Sequence, residues 1–592
     1  MSSAAALCPQ ALTSATRSVW GNFQSCQVHM GIPLGAGRFG EGSGIDRLST
    51  ELGFCGFLGC TFRRAAGEQN GFKERSRKRG LATSASGNFD RRRPVEVSRR
   101  DSSRNAPSGE RRQQRTKFRD DISPHRAVVV VRLLRIEEGG AYADILSWDS
   151  TIDTTREMQY VQRTLGFSTA ELEPRGRRLV TEEVAGIVRW KRYLDYLIFS
   201  QFRGEERDYE RMEPLLRQIL RLGVYELVML EMSPYAVVNE ATQLAKIALR
   251  AGAGGMVNGL LRAVATNQIE NNHPSPVLEG DDRSQARALA TIHSHPVWMV
   301  RKWMARFGKE ETIELLQYNN RRPTFALRAN IAQGVSPEDL SAQLDKLEVA
   351  HEKSPYVPEF VRLSIGMQDV LRAGLLKDGL CAVQDESAGL VVCVVDPQPG
   401  EHIIDCCAAP GGKALFLAAK LNGTGKVLAV DINEGRLRIL EEAAEQLGVS
   451  NIVSTLCCDL RNYTADVTGT ADKVLLDAPC SGLGVLAKRA DLRWRRTPEE
   501  ILGLNDLQDQ LLDSAAKLVK PGGVLVYSTC SIEPAENHER VAAFIDGHPE
   551  FVIESAEAFI PKELVSEEGY FASKPHKHLI DGAFAARLRK TQ

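Results

Sequence analysis

An all-α bundle followed by an α/β domain built on a mostly parallel sheet is the fold class that the sequence predicts. Three observations carry that expectation. The 592 residues exceed the size at which one hydrophobic core keeps growing, so two or three domains are expected. From about residue 121 to 270, apolar positions recur at helical spacing with few strand signals between them. From residue 400 onward, short apolar runs alternate with helical stretches in the order βαβαββαβ, the pattern of parallel strands covered by helices on both faces.

The composition, 43% hydrophobic and 26% charged, is that of an ordinary globular chain. No apolar stretch reaches the roughly 18 residues needed to span a bilayer, and "AVVVVRLL" is broken by Arg132; no membrane partner is expected. Twelve cysteines without a single CxxC pair are too sparse for a disulfide scaffold and lack zinc-ligand spacing, so no metal and a reducing compartment are expected. Cys55 and Cys60 read as free thiols. The formal charge of −1 hides an asymmetry, about +11 through residue 120 and about −12 beyond it, so a polyanion would have to be met by a local patch.

Taken in order, residues 1–60 open "MSSAAALCPQALTSATRSVWGNFQS", and the first forty contain no Asp or Glu and only Arg17 and Arg38. That is transit-peptide composition. The scarcity of arginine favours a chloroplast over a mitochondrion as destination. Residues 61–120 ("RSRKRG", "DRRRPVEVSRR", "ERRQQR") combine dense arginine with Ser, Gly and Asn and read as a disordered basic linker. Within 121–275, Ser123 is the expected N-cap and Pro124 the first helical residue of "SPHRAVVVVRLLRIEE". Further helices read at "RRLVTEEVAGIVRWKRYLDYLIF", "RMEPLLRQILRLGVYELVML", "YAVVNEATQLAKIAL" and "MVNGLLRAVAT". Here Pro234, Val238, Asn239, Glu240, Ala241, Val257, Asn258, Gly259 and Leu261 resemble the signature of the NusB-like RNA-binding domain, which implies an RNA partner. Individually, Asn239 and Asn258 are expected to cap or bridge helices. The segment "LSWDSTIDTTREMQYVQRTLGFSTAELEP" reads as an insertion.

In the α/β region every motif falls at a strand's carboxyl end, where such sheets bind ligands. The loop "CCAAPGGKA" follows the first strand, and its paired glycines let backbone amides approach a ligand at the next helix start. It is neither GxGxxG nor a Walker loop. "VLAVDI" ends in Asp431, placed to take both hydroxyls of a ribose, and "IVSTLCCD" ends in Asp459. A glycine loop flanked by such carboxylates suits an adenosine-bearing ligand. Cys406, Cys457 and Cys458 read as ordinary free thiols.

Together with "QDESAGL" at 384–390, the stretches "CAAPGGK" (407–413), "DAPCSGLG" (477–484), "KRADLRW", "YSTCS" (527–531), "EPAEN" and "DGAFAARL" resemble the S-adenosylmethionine-dependent RNA cytosine-C5 methyltransferases of the Sun (Fmu) family, from about His293 to the C-terminus. The NusB-like domain in front resembles the architecture of the bacterial small-subunit ribosomal RNA enzyme of that family. The resemblance implies a small subdomain at 290–375, a Rossmann-like class I methyltransferase domain at 376–592, S-adenosyl-L-methionine as cofactor and ribosomal RNA as partner. It implies donor binding by Cys407, Ala408, Ala409, Pro410, Gly411, Gly412, Lys413, Asp431, Asp459 and Asp477. Transfer RNA as substrate, and a ribosome-assembly role with dispensable methylation, are the alternatives.

C5 of cytosine is a poor carbon nucleophile, and a thiolate adding at C6 makes it enamine-like; this is covalent catalysis. On their residue settings alone, Cys480 and Cys530 can each be that thiolate. The resemblance assigns addition to Cys530 and product release to Cys480. A carboxylate beside the ring would assist at N3, and Asp477 is the candidate. "KRADLRWRR", with five basic residues and Trp494, is expected to meet phosphates and stack on a base.

Overall fold

The computed structural model describes residues 117–141, 154–202, 204–463 and 471–591. The segments read as transit peptide and basic linker lie almost wholly outside the described residues, as do residues 146–153 of the expected insertion. Among the described residues, no helix is long and apolar enough to cross a membrane.

The first unit is helical, as the periodicity predicts: Pro124–Glu137, Thr154–Leu165, Pro174–Gln201, Pro214–Val224 continued by a π-turn Tyr225–Met229, Pro234–Ala248 and Ala251–Ile269. Pro124, Pro174, Pro214 and Pro234 all stand in the first helical turn, where the missing N–H would have had no partner anyway. Strand β1 (Lys117–Phe118) pairs in parallel with β2 (Phe167–Ser168). Ser123 does precede the first helix, but its hydroxyl makes no cap. Its backbone N donates instead to Glu240 Oε2 at 3.0 Å, so a carboxylate from another helix has taken over the capping task.

The expected insertion is integral to this bundle. Arg132, buried in the first helix, donates to both oxygens of Glu157 at 2.6 and 3.0 Å, and Glu157 lies in helix Thr154–Leu165. Charge pairing across 25 residues was invisible in the apolar periodicity. Asn258 accepts from Arg262 Nε at 3.1 Å one turn on, a helix-surface bridge of the expected kind.

Helices Asp282–Ile292 and Val297–Asn320 lead into a four-stranded antiparallel sheet of β3 (Phe325–Ala329), β4 (His351–Lys353), β5 (Phe360–Leu363) and β6 (Cys381–Val383), in the order β4-β5-β3-β6. The large sheet follows. It comprises β7 (His402–Asp405), β8 (Lys426–Asp431), β9 (Val453–Cys457), β10 (Ala471–Asp477), β11 (Val519–Thr529), β12 (Phe551–Glu554), β13 (Phe571–Ala572) and β14 (Phe584–Lys590). Its order is β12-β14-β11-β10-β7-β8-β9, with β13 beside β14. Strands β11, β10, β7, β8 and β9 run parallel; at one side β14 runs opposite to them, and β12 and β13 each pair antiparallel with β14. Val391, Leu415, Phe416 and Leu440 fill one core and Leu476, Leu512, Leu525 and Tyr527 another, all at most 1% exposed. Chain order reverses between β7 and β10, the switch point at which doubly wound sheets open a ligand crevice.

"KRADLRWRR" departs from its expected role. Arg493 is 0% exposed and donates to the carbonyls of Ser294 and Asn319 and to Asn320 Oδ1 at 3.1, 3.0 and 2.8 Å. Trp494 Nε1 donates to Val188 O in the helical unit at 2.7 Å, and Arg495 reaches the carbonyls of Gly140 and Ala141. Main-chain carbonyls, rather than phosphates, satisfy these donors, and the motif is a joint between the helical unit and the catalytic sheet. Replacing Arg493 by Ala would strand those buried acceptors and is expected to cost about 3 to 5 kcal/mol, read as a lowered urea midpoint; an unchanged midpoint would show the joint to be dispensable.

Candidate active site

The two cysteines meet. β10 and β11 are adjacent and parallel, with Asp477 paired to Ser528, so the loops leaving their carboxyl ends emerge side by side. Cys480 Sγ and Cys530 Sγ stand 3.2 Å apart. Both are free thiols, and Cys480 is buried. The Cys530 thiol is held below its ordinary pKa, first by the hydrogen bond with Cys480 and further by the Lys413 and Arg489 cations, against the opposing effects of burial and Asp477. The thiolate is therefore easier to form at Cys530 than at a cysteine without these neighbours. Cys406, by contrast, is fully buried among apolar groups and its thiol is pushed well up, which fits the ordinary role expected of it.

A buried polar hub fixes both cysteine loops. Glu536, 0% exposed, accepts from Ser481 N at 2.7 Å, Ser531 Oγ at 2.5 Å and Gln508 Nε2 at 3.3 Å, and also from Ser481 Oγ. Ser481 and Ser531 each follow one of the cysteines. Arg496 Nε donates to Ser481 O at 2.8 Å, so the joint with the helical unit extends to the Pro-Cys loop. On the other loop, Trp303 Nε1 donates to Glu533 Oε1 at 2.9 Å. None of Ser481, Ser531, Gln508 or Glu536 was assigned this positioning role from sequence; "EPAEN" marked the place of Glu536 but not its partners. Three other motifs also converge. Lys488 pairs with Asp385 and with Asp581, the latter at 3.0 Å, joining "QDESAGL", "KRADLRW" and "DGAFAARL" in one ion cluster.

Across the switch-point crevice, Lys413 Nζ donates to Asp477 Oδ2 at 2.6 Å, and Ser528 Oγ donates to Asp477 Oδ1 at 2.9 Å. Burial alone would lower the Lys413 pKa, but Asp477 more than offsets it and the ammonium is retained. Asp405, at the end of β7, is 1% exposed with neither carboxylate oxygen partnered in the chain; burial first, and then Asp477, push it up to about 8. It immediately precedes the glycine loop and was overlooked, although its strand-end position was readable.

The glycine loop fits a nucleoside-bearing donor. Gly411 sits at φ +114°, and a Cβ there would meet Leu440 Cγ at 2.8 Å, so bare backbone is required where helix Gly412–Lys420 begins. Ala408 N donates to Val430 O at 2.9 Å, which ties the loop to β8 beside Cys407, Ala409, Pro410 and Lys413. Asp431 Oδ2 accepts from Ala409 N at 3.1 Å and Oδ1 from Asn433 N at 2.9 Å; the carboxylate keeps lone pairs for a ribose. Asp459 accepts from Arg461 N at 3.0 Å and pairs with its guanidinium at 2.6 Å, so it caps the short helix that follows it. Asp431→Ala is expected to weaken donor binding by about 1.5 to 3 kcal/mol, with RNA affinity little changed; unaltered donor affinity by calorimetry would refute that role.

A doubly wound sheet with a glycine cradle at its switch point and strand-end carboxylates around it defines a nucleoside-binding α/β protein; its likeness to known proteins makes it an S-adenosyl-L-methionine-dependent methyltransferase. Residues 392–589 match the family described as 16S rRNA methyltransferase RsmB/F, residues 144–266 the NusB family, and residues 295–368 the ferredoxin-like domain of RsmF/B-like methyltransferases. The chain is 31% identical over 470 residues to the probable ribosomal RNA small subunit methyltransferase B of Bacillus subtilis, covering 78% of this chain and 98% of that one. It is 34% identical over 430 residues to the probable protein of the same name from Synechocystis, covering 71% and 92%. The solved structure of PH0851 superposes with a TM-score of 0.63 at 26% identity, over 79% of this chain and 99% of that one. The chain belongs to the RsmB/F methyltransferase family, with a NusB domain in front of the catalytic domain. The NusB match begins at residue 144, which places the expected insertion inside that domain.

Proposed function

We propose that this enzyme methylates C5 of a specific cytosine in small-subunit ribosomal RNA through a covalent Cys530–C6 adduct. The observation that carries the reading is the pair of sulfurs 3.2 Å apart at neighbouring strand ends, beside the Lys413–Asp477 pair. One thiol able to donate to a second, depressed one is the arrangement that addition and later elimination need. The Cys530 thiolate adds to C6, the C5–C6 electron pair shifts through the ring to N3, and N3 takes a proton passed through Asp477 from the Lys413 ammonium that holds it. Bound S-adenosyl-L-methionine would supply an electrophilic methyl carbon to C5 of the adduct, its S–CH3 bond breaking to leave S-adenosylhomocysteine while N3 returns its proton to Lys413 through Asp477. The C5 proton then passes to a water, its C–H electron pair re-forms the C5–C6 double bond, the C6–S bond breaks, and the Cys480 thiol hydrogen-bonds the departing Cys530 thiolate. The target base must be unstacked to enter such a pocket.

The ribosomal substrate rests on the names of the relatives and on the NusB domain. Mapping bisulfite-resistant cytosines in organellar RNA with and without the protein tests it. Loss of a single site in small-subunit RNA supports the reading, a lost site in transfer RNA replaces the substrate, and rescue by Cys530→Ala would favour an assembly role. We further propose that residues 1 to about 60 direct the protein to chloroplasts, on the strength of their composition. A reporter carrying them should enter plastids; its retention in the cytosol would overturn this, and import into mitochondria would reassign the destination.

A further inference from the structure

The helical unit contains a second cluster of chemistry-bearing side chains, used by none of the steps above. His125 opens helix Pro124–Glu137, Glu183 lies in helix Pro174–Gln201, and Glu226 lies in the π-turn Tyr225–Met229. One ligand atom from each lies within 4.8 Å of the others. His125 Nε2 is 4.0 Å from Glu183 Oε1 and 3.8 Å from Glu226 Oε1. Both glutamates are 0% exposed. Both oxygens of Glu183, Oε2 of Glu226 and Nε2 of His125 are buried with no hydrogen-bond partner in the chain. Carboxylates are buried ionised only when paired or bound to a metal, because leaving water without a partner costs several kcal/mol. Glu226 also stands in a π-turn, an irregularity that recurs at functional sites.

The surrounding charges point the same way. Arg126 Nε donates to Glu226 Oε1 at 2.7 Å, and its Nη1 pairs with Glu240 Oε1 at 2.7 Å. Three carboxylates, Glu183, Glu226 and Glu240, thus face one guanidinium. Counted as ionised, the three carboxylates outnumber the guanidinium by two negative charges, a surplus that a divalent cation cancels. We propose that His125, Glu183 and Glu226 bind one divalent transition-metal ion of the zinc class, which ties three helices of the unit together. An imidazole with two carboxylates suits Zn²⁺, Mn²⁺ or Co²⁺ better than the all-oxygen shells of Ca²⁺ and Mg²⁺. Tetrahedral zinc with bonds of about 2.0 to 2.2 Å places its ligand atoms roughly 3.3 to 3.6 Å apart, so closure requires only small side-chain movements.

The test uses the full chain, stripped with a chelator and titrated with ZnCl₂ by calorimetry, then with CoCl₂ by absorption spectroscopy. One equivalent of Zn²⁺ is expected, with a raised melting temperature. The Co²⁺ spectrum should show ligand-field bands without a thiolate charge-transfer band, which separates this site from the twelve cysteines. His125→Ala and Glu183→Gln should each weaken Zn²⁺ binding more than about tenfold, while affinity for S-adenosyl-L-methionine stays unchanged as the control for folding. His125→Ala, the less buried change, decides the matter if Glu183→Gln does not fold. Absence of Zn²⁺ uptake by the unaltered chain, equal uptake by the variants, or a thiolate-type Co²⁺ spectrum would each overturn the proposal. So would a Glu183→Gln chain more stable than the unaltered one with or without metal, which would identify a shared proton instead.

Discussion

Cys480→Ala protein incubated with RNA and S-adenosyl-L-methionine is expected to remain covalently attached to its RNA, whereas Cys530→Ala protein forms no attachment and no product. The two sulfurs are 3.2 Å apart, so either can reach the same carbon within a small side-chain rotation, and distance alone does not separate their roles. The motif resemblance does, assigning addition to Cys530, whose thiol is held below its ordinary value by the Cys480 hydrogen bond first and then by Lys413 and Arg489. Without Cys480 the adduct should still form and accept the methyl group, then stall before the thiolate leaves. The readout is a protease-sensitive shifted band of labelled RNA on a denaturing gel. Because the variants differ in kind, the test does not depend on how much rate either one loses. A shifted band from Cys530→Ala, and none from Cys480→Ala, would exchange the two roles.

Glu536→Ala should cripple turnover without touching donor binding. The carboxylate gathers Ser481 N, both serine hydroxyls and Gln508, and it is the group through which the Pro-Cys loop and the β11 loop are held at one spacing. Without it, buried donors lose their acceptor at a cost of about 2 to 4 kcal/mol of stability. The two sulfurs would then no longer be fixed against one another, and a displacement of about 1 Å at a reacting centre can cost about 100-fold in rate. Affinity for S-adenosyl-L-methionine should be retained, since Glu536 makes no hydrogen bond to the 407–413 loop or to Asp431. Glu536→Gln, which keeps the shape and one acceptor oxygen, should fall between the two. Single-turnover kinetics, calorimetry and a urea melt read the three quantities; full activity in Glu536→Ala would show that the loops are set by other contacts.

Much of this was legible in the chain. Helical periodicity placed the five helices that were read between residues 121 and 270, and strand-like runs ending in Asp431, Asp459, Asp477 and Cys530 placed the parallel strands and the end of the sheet that carries the chemistry. Those signals are local: burial on one face of a helix or both faces of a strand repeats every few residues. "KRADLRWRR" was misread for the converse reason. Composition reports that a segment is cationic and aromatic, but not whether its donors face water or the carbonyls of Ser294, Asn319 and Val188. The segment 146–174 was set aside as an insertion, yet its described residues 154–174 are tied in by buried Val161 and Leu165 and by the ion pair between Arg132 and Glu157, which has no period.

By itself the sequence determined the order of the elements, the glycine loop that no side chain can enter, and the residue types available for methyl transfer. Backbone stereochemistry and apolar spacing are properties of neighbours in the chain, so they can be read from neighbours. Only the tertiary structure decided that Cys480 and Cys530, fifty residues apart in the numbering, share one van der Waals contact. It alone showed that Lys413 spans the switch point to Asp477 and that Glu536 binds both cysteine loops. Pairwise electrostatics and hydrogen bonding fall off over a few ångströms of space and are indifferent to distance along the chain. Which groups they couple is settled when β10 and β11 lie side by side.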